Sequence, residues 1–295
     1  MPVCGCSSGA GCIRDIGVGG SLLRVRQSWH SADSLREAVA QPQVHEDQFL
    51  QPERVPPGLG TCVWEGGLAL MRALELSPTL VRGKSVLELG CGTGVVALAC
   101  VALGARVVVA TDHDAAVLRL ARQNATDHSW LVKEKGARLS VMDYAWGTGG
   151  AAEEALGGPF DIVLGADVTY DPASAASLCR DMEALTASDH GRVVLGFARR
   201  PEYRPELLLR SLEEMGTWRV LRPFSTMTLE PRDAPSEVLA RWVKFGLVVA
   251  HAARIPKGGR RRSRAEAAGR LDGEPESAEG AEAKKRARWG ATDFS

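Results

Sequence analysis

From Lys84 to about Val248 the chain alternates short apolar runs with helical ones, and this alternation limits the possible folds more than any other feature. "SVLEL", "RVVVATD", "ARLSVMD", "FDIVLGAD" and "GRVVLGF" read as buried strands, rich in branched side chains. "GVVALACVALG", "DAAVLRLARQNATDH", "PASAASLCRDMEALTA" and "PELLLRSLEEMG" read as the helices after them. Apolar strands joined through helices make a parallel sheet, because parallel neighbours need a long crossover and the crossovers cover both faces. "TWRVLRPF" and "EVLARWVKFGLVV" follow with no long helix between them, which predicts an antiparallel hairpin at the sheet's edge. The expected fold is therefore α/β, a doubly wound, mostly parallel seven-stranded sheet with an antiparallel edge hairpin.

The flanks divide the chain further. Residues 1–20 are rich in Gly, Cys and Ser and read as a flexible leader. A domain over residues 21–250 carries an N-terminal β/helix extension, in which Leu23 to Gln27 alternate as a half-exposed strand. A Pro-rich connector leads to the helical "VWEGGLALMRALEL", which Pro78 stops. Residues 251–295 have little to bury and read as a disordered tail of mixed charge.

Composition excludes several classes. Apolar residues make up 45% and charged residues 24% of the 295, ordinary values for a soluble globular protein. No apolar run is long enough to span a membrane, and the N-terminus lacks a signal-peptide layout. Seven cysteines, an odd number and mostly scattered, fit reduced thiols in the cytoplasm or nucleus. Cys4, Cys6 and Cys12 cluster without zinc-ligand spacing, so no metal is expected. Net charge is zero, which leaves no overall nucleic-acid footprint. From His251 onward, however, 11 Lys+Arg face 7 Asp+Glu. The runs "GGRRRSR" and "KKRAR" there fit a solvated tail, a nuclear address or a nucleic-acid contact.

"VLELGCGTG" sets a glycine-rich turn between the first strand of the alternation and a helix, so the backbone can pass close to a ligand. Val95 stands where a dinucleotide fingerprint needs its third glycine, and Glu88 would repel a pyrophosphate but attract a cation. Asp112 ends the next strand, 18 residues beyond Gly94, about where such folds present an acid to a ribose diol. The implied ligand has a nucleoside and a positive charge but no phosphates, which describes S-adenosylmethionine.

With "VWEGG", "MDYAWG" and "LGADVTYD", this loop resembles the class I, Rossmann-like methyltransferases, and within them the seven-β-strand protein-lysine methyltransferases of family 16 type. The resemblance covers about residues 16–248. It implies cofactor contacts from Trp64, Glu88, Gly90, Cys91, Gly92, Gly94 and Ala166, with Asp112 accepting from the ribose hydroxyls. Asp143 would bind the adenine's exocyclic amine, and Trp146 would stack on its ring or pack at the domain rim. Tyr144 and Ala145 intervene between the two, a departure from the family pattern.

The resemblance also implies a lysine of a protein substrate as acceptor, with histidine, arginine, small amines, RNA and a non-catalytic binding module as alternatives. Asp167 and Tyr170 follow a central strand at its carboxyl end, where open α/β sheets bind ligands, and are expected to shape the acceptor channel. Asp171 is expected to cap the next helix, and Arg199 and Arg200 either touch substrate or are solvated. His113, His128 and His190 form no triad or metal set and take ordinary roles. A monomer is expected.

Overall fold

The structure is a computed structural model, and it describes residues 12–27, 59–148, 151–169, 174–198, 205–227 and 247–255. Two strands, β1 (Cys12–Val18) and β2 (Ser21–Gln27), come first and pair antiparallel. Gly19 and Gly20 join them with φ of +55° and +78°, the left-handed pair that a two-residue hairpin turn demands. Residues 12–20 of the expected leader are in this hairpin, and residues 1–11 lie outside the described residues. Ile16, Val18, Leu23 and Val25 of this hairpin are buried, while Ile13, Leu22, Arg24 and Arg26 face outward.

The main sheet contains β3 (Ser85–Leu89), β4 (Val107–Asp112), β5 (Arg138–Asp143), β6 (Ile162–Ala166), β7 (Arg192–Ala198), β8 (Trp218–Met227) and β9 (Leu247–Arg254). Its order is β5-β4-β3-β6-β7-β9-β8. The first five run parallel, and β9 pairs antiparallel to both β7 and β8. The expected edge hairpin is present, with its second strand on the inside. Because β9 runs to Arg254, the first residues assigned to the tail belong to the sheet.

Seven α-helices lie among the described residues: α1 (Glu65–Leu76), α2 (Val95–Ala102), α3 (Ala115–Asp127), α4 (Ser129–Lys135), α5 (Ala151–Leu156), α6 (Ala175–Leu185) and α7 (Pro205–Glu214). None is long and apolar enough to cross a membrane. Alternate residues of β3 feed two cores. Val86 joins α1, α2 and the β1–β2 hairpin, whereas Leu87 and Leu89 join α6, α7 and the inner face of β8 and β9. A strand buried on both faces reads as continuous hydrophobic sequence, which is why "SVLEL" looked so plain. Strand order reverses at β3 and β6, so the crevice beyond their carboxyl ends is the natural ligand site of this topology.

Candidate active site

The loop Gly90–Gly94 leaves β3 at that crevice and turns into α2. Gly90, Gly92 and Gly94 all have left-handed φ, of +71°, +54° and +76°. At Gly92 the need for glycine is also steric, since a Cβ would stand 2.9 Å from the Gly60 carbonyl oxygen. A Cβ on Gly90 would stand 3.1 Å from both the Trp146 ring and the Val168 side chain. The loop is held from several sides. Cys91 N–H donates to the Thr111 carbonyl at 2.7 Å, and Gly94 N–H to that of Cys91 at 2.8 Å. Asn124 on α3 donates to the Thr93 carbonyl at 2.9 Å.

Glu88 lies beneath this loop, on the face of β3 that α2 covers. Its helix has glycine at the N-cap, which offers no side-chain acceptor, and the Glu88 carboxylate accepts the Ala97 backbone N–H instead. Its Oε2 is buried and has no hydrogen-bond partner among the described residues. Burial pushes its pKa well above the usual carboxylate range, opposed by the Ala97 bond and reinforced by nearby Asp112. A buried carboxylate with an unused oxygen beside a second carboxylate is a place prepared for a cation.

Asp112 ends β4, opposite Asp143 at the end of β5. Its Oδ1 accepts the His113 and Asp114 amides at 2.9 and 3.2 Å, and its Oδ2 accepts Gly92 N–H at 3.1 Å. Three of about four lone-pair positions are therefore used, which fixes the carboxylate and leaves capacity for a hydroxyl. Burial raises its pKa, against those three amides. Asp143 is exposed at the rim of the crevice. Beyond it the turn through Gly147 is tied down by Asp181 of α6, which accepts Gly147 N–H at 2.7 Å. That turn presents the half-buried Trp146 over Gly90, so the structure brings this tryptophan to the glycine loop. Tyr144 itself is buried in the second core, and desolvation pushes its hydroxyl up to about 12.

Asp167 has a structural task at the end of β6. It has φ of +52°, the single positive value among described non-glycine residues, and its carboxylate turns inward. Oδ2 accepts Gly66 N–H of α1 at 2.7 Å, and Oδ1 accepts Ala198 N–H at the end of β7 at 3.1 Å. Asp167 thus caps α1 from across the chain and fastens it to the sheet, contacts that the sequence did not show. Trp64, just before α1, supplies no side-chain cap; its indole donates to the Leu59 carbonyl at 3.0 Å. Ala166 ends β6 against Gly67. Cys91 is buried, and desolvation raises its thiol well above the usual value. Asp171 was expected to cap α6, but the residue before that helix is Ser174. Tyr170, Asp171, Arg199 and Arg200 lie outside the described residues.

Asn124 and Asp181 escaped the sequence pattern, and His128 was expected only in an ordinary role. Asn124 and Asp181 are buried polar residues on helices, and periodicity places such residues on a face without showing what they bond.

S-adenosylmethionine fits these residues: a buried carboxylate with one unpaired oxygen for its cationic end, a glycine loop without bulky side chains, and a fixed Asp112 for its ribose. Sequence comparison agrees. The chain is similar to the protein N-lysine methyltransferase METTL21A of Danio rerio, at 31% identity over 53% of this chain and 68% of that protein. It is also similar to the protein N-terminal and lysine N-methyltransferase efm7 of Emericella nidulans, at 30% identity over 64% and 79%. The EEF1A lysine methyltransferase 3 of Mus musculus is 30% identical over 52% of this chain and 62% of its own. The family described as lysine methyltransferase matches residues 45–214, which contain the glycine loop, both strand-end acids and Trp146, and the chain belongs to that family.

Proposed function

We propose that this chain methylates a lysine side chain of a protein, with S-adenosylmethionine as methyl donor. The observation that carries the reading is Glu88, a buried carboxylate with one unpaired oxygen directly beneath the glycine loop. Membership of the lysine methyltransferase family and the names of the relatives support a protein substrate.

When bound, the cofactor supplies an electrophilic methyl on a sulfonium, which an amine displaces in line. The chain's work is then positional. Glu88 and Asp112 would hold the cationic and ribose ends, Asp143 and Trp146 the adenine, and Trp64, Cys91 and Ala166 would line the walls. A lysine amine near its ordinary pKa of about 10.4 is neutral in roughly one molecule per thousand or fewer at pH 7, so the acceptor channel must favour loss of its proton. Tyr170 follows Asp167 by three residues and is proposed to act there through its hydroxyl and ring face. Asp167 acts on the channel indirectly, by fixing α1 against β7.

The test is labelled S-adenosylmethionine with the full chain and cell extract, followed by mass spectrometry of the product. Methyl-lysine in a discrete protein supports the reading, and absence of cofactor binding by calorimetry overturns it. A second acceptor, the α-amino group of a protein N-terminus, is suggested by the name of the Emericella nidulans relative. The same spectra separate the two.

We further propose that the chain acts as a monomer in the cytoplasm or nucleus. Four buried cysteines outside any disulfide among the described residues, Cys62, Cys91, Cys100 and Cys179, are consistent with a reducing compartment. The basic excess after His251 supports a nuclear-import or nucleic-acid contact, which a tail-deleted chain would lose in localisation and in RNA co-purification.

A further inference from the structure

The β1–β2 hairpin has an unusual neighbour at its open edge. A two-stranded ribbon leaves one row of backbone groups without a strand partner. Here α3 and the residue after it provide the partners with side chains. Asn124 accepts Arg26 N–H through Oδ1 at 2.8 Å and donates through Nδ2 to the Arg26 carbonyl at 3.0 Å. His128 accepts Arg24 N–H through Nε2 at 3.0 Å, and its Nδ1 donates to the Asn124 carbonyl at 2.7 Å. Both side chains are fully or almost fully buried. The Asn124 amide therefore pairs with Arg26 as a neighbouring strand residue would.

Asn124 has one further hydrogen, and it is not spent on the hairpin. Nδ2 also donates to the Thr93 carbonyl at 2.9 Å, between Gly92 and Gly94 of the cofactor loop. Every donor of this amide is used, and its partners belong to two different parts of the fold. The hairpin is tied at the same end to the approach of α1, since Gln27 Oε1 accepts Val63 N–H at 3.1 Å. His128 shares the hairpin contact with Asn124 and makes no bond to the loop.

We propose that Asn124 is a positioning residue for cofactor binding, which sets the height of the glycine loop by fixing the Thr93 carbonyl against the hairpin. A glycine-rich loop has little of its own to hold it, with three left-handed residues and no bulky side chains. Fixing one carbonyl from outside removes much of its freedom before a ligand arrives, and such preorganisation raises affinity. The inference rests on the proposed use of S-adenosylmethionine.

The test compares Asn124→Ala and His128→Ala in the full chain. Urea unfolding measures the stability of each, and calorimetry measures its affinity for S-adenosylmethionine. Both substitutions remove hairpin bonds, two at Asn124 and one at His128; only the first removes the loop bond. Asn124→Ala is expected to weaken cofactor binding by about tenfold or more, while His128→Ala, at comparable lost stability, stays within about twofold of the wild type. Should Asn124→Ala fail to fold, Asn124→Asp is read instead: it keeps the acceptor for Arg26 N–H and loses both donors. Unchanged affinity in the Asn124 variant, or an equal loss in His128→Ala, overturns the proposal. Absence of binding by the wild-type chain would overturn the proposed function itself, a result distinguishable from both.

Discussion

Gly92 sits where the backbone of one loop meets that of another, and its φ of +54° and the Gly60 oxygen both exclude a side chain. Gly92→Ala is expected to abolish measurable cofactor binding by calorimetry. Gly136→Ala serves as control: it too has left-handed φ, of +62°, but open space around it, so only strain is added. At Glu88 the effect is electrostatic. Burial raises its folded-state pKa above that of the unfolded chain, so its contribution to stability is intact at acid pH and falls as pH climbs through the raised value. Glu88→Gln removes the titration. Its melting temperature is expected to match that of the wild type at about pH 5 and to exceed it at about pH 9, while cofactor affinity falls at both. The candidate residues Glu88, Gly92 and Asp112 were legible because motif spacing carried them. Asp167 was singled out by the same reasoning, but its bonds were not legible, because sequence shows that an acid stands at a strand end but not which way it turns. Two backbone amides 31 and 101 residues away decide that.

Elements were read well where both faces are buried and less well where a short element depends on a partner. The parallel strands announced themselves by hydrophobic runs. β1 did not, since "CIRDIGV" is half polar and gains its strand character from pairing with β2 across Gly19 and Gly20. The Gly-Gly pair between alternating residues was the signal available. Asp167 shows what one side chain does at this scale, joining the start of α1 to the end of β7. Asp167→Asn keeps one acceptor but turns an amide N–H toward a backbone N–H. A loss of about 1–3 kcal/mol is expected in urea unfolding. At the opposite edge, Arg254 of β9 pairs with Glu183 of α6 at 2.5 Å and lies over the Trp218 ring of β8, 4.2 Å from its centroid. Its side chain is 6% exposed. Arg254→Ala would leave Glu183 without that partner and is expected to cost about 2–4 kcal/mol, with cofactor affinity unchanged because this cluster lies on the far strands of the sheet.

For the molecule as a whole, the family match at residues 45–214 stops short of the fold at both ends. It omits the hairpin, whose Ile16, Val18, Leu23 and Val25 complete the core over α2 and α3, and it omits β8 and β9. Each buried aliphatic side chain contributes about 1.5–3 kcal/mol, so four of them approach the entire net stability of a typical domain. A chain cut to residues 45–214 is expected to be insoluble or to lack a cooperative melting transition, whereas the full chain unfolds in one step.

The sheet order has a consequence for the order of assembly. Among the described strands β9 is synthesised last, yet it fits between β7 and β8. Until it arrives, β7 presents an open edge of buried-type residues, Val193 to Ala198, to any neighbouring chain. The cofactor half, β3 to β6, can be formed by then, so a nascent chain would hold a nearly complete binding crevice beside an adhesive flank. Pairing across such a distance in sequence is slow. The vulnerable period in the life of this protein is thus the interval between finishing its site and closing its sheet.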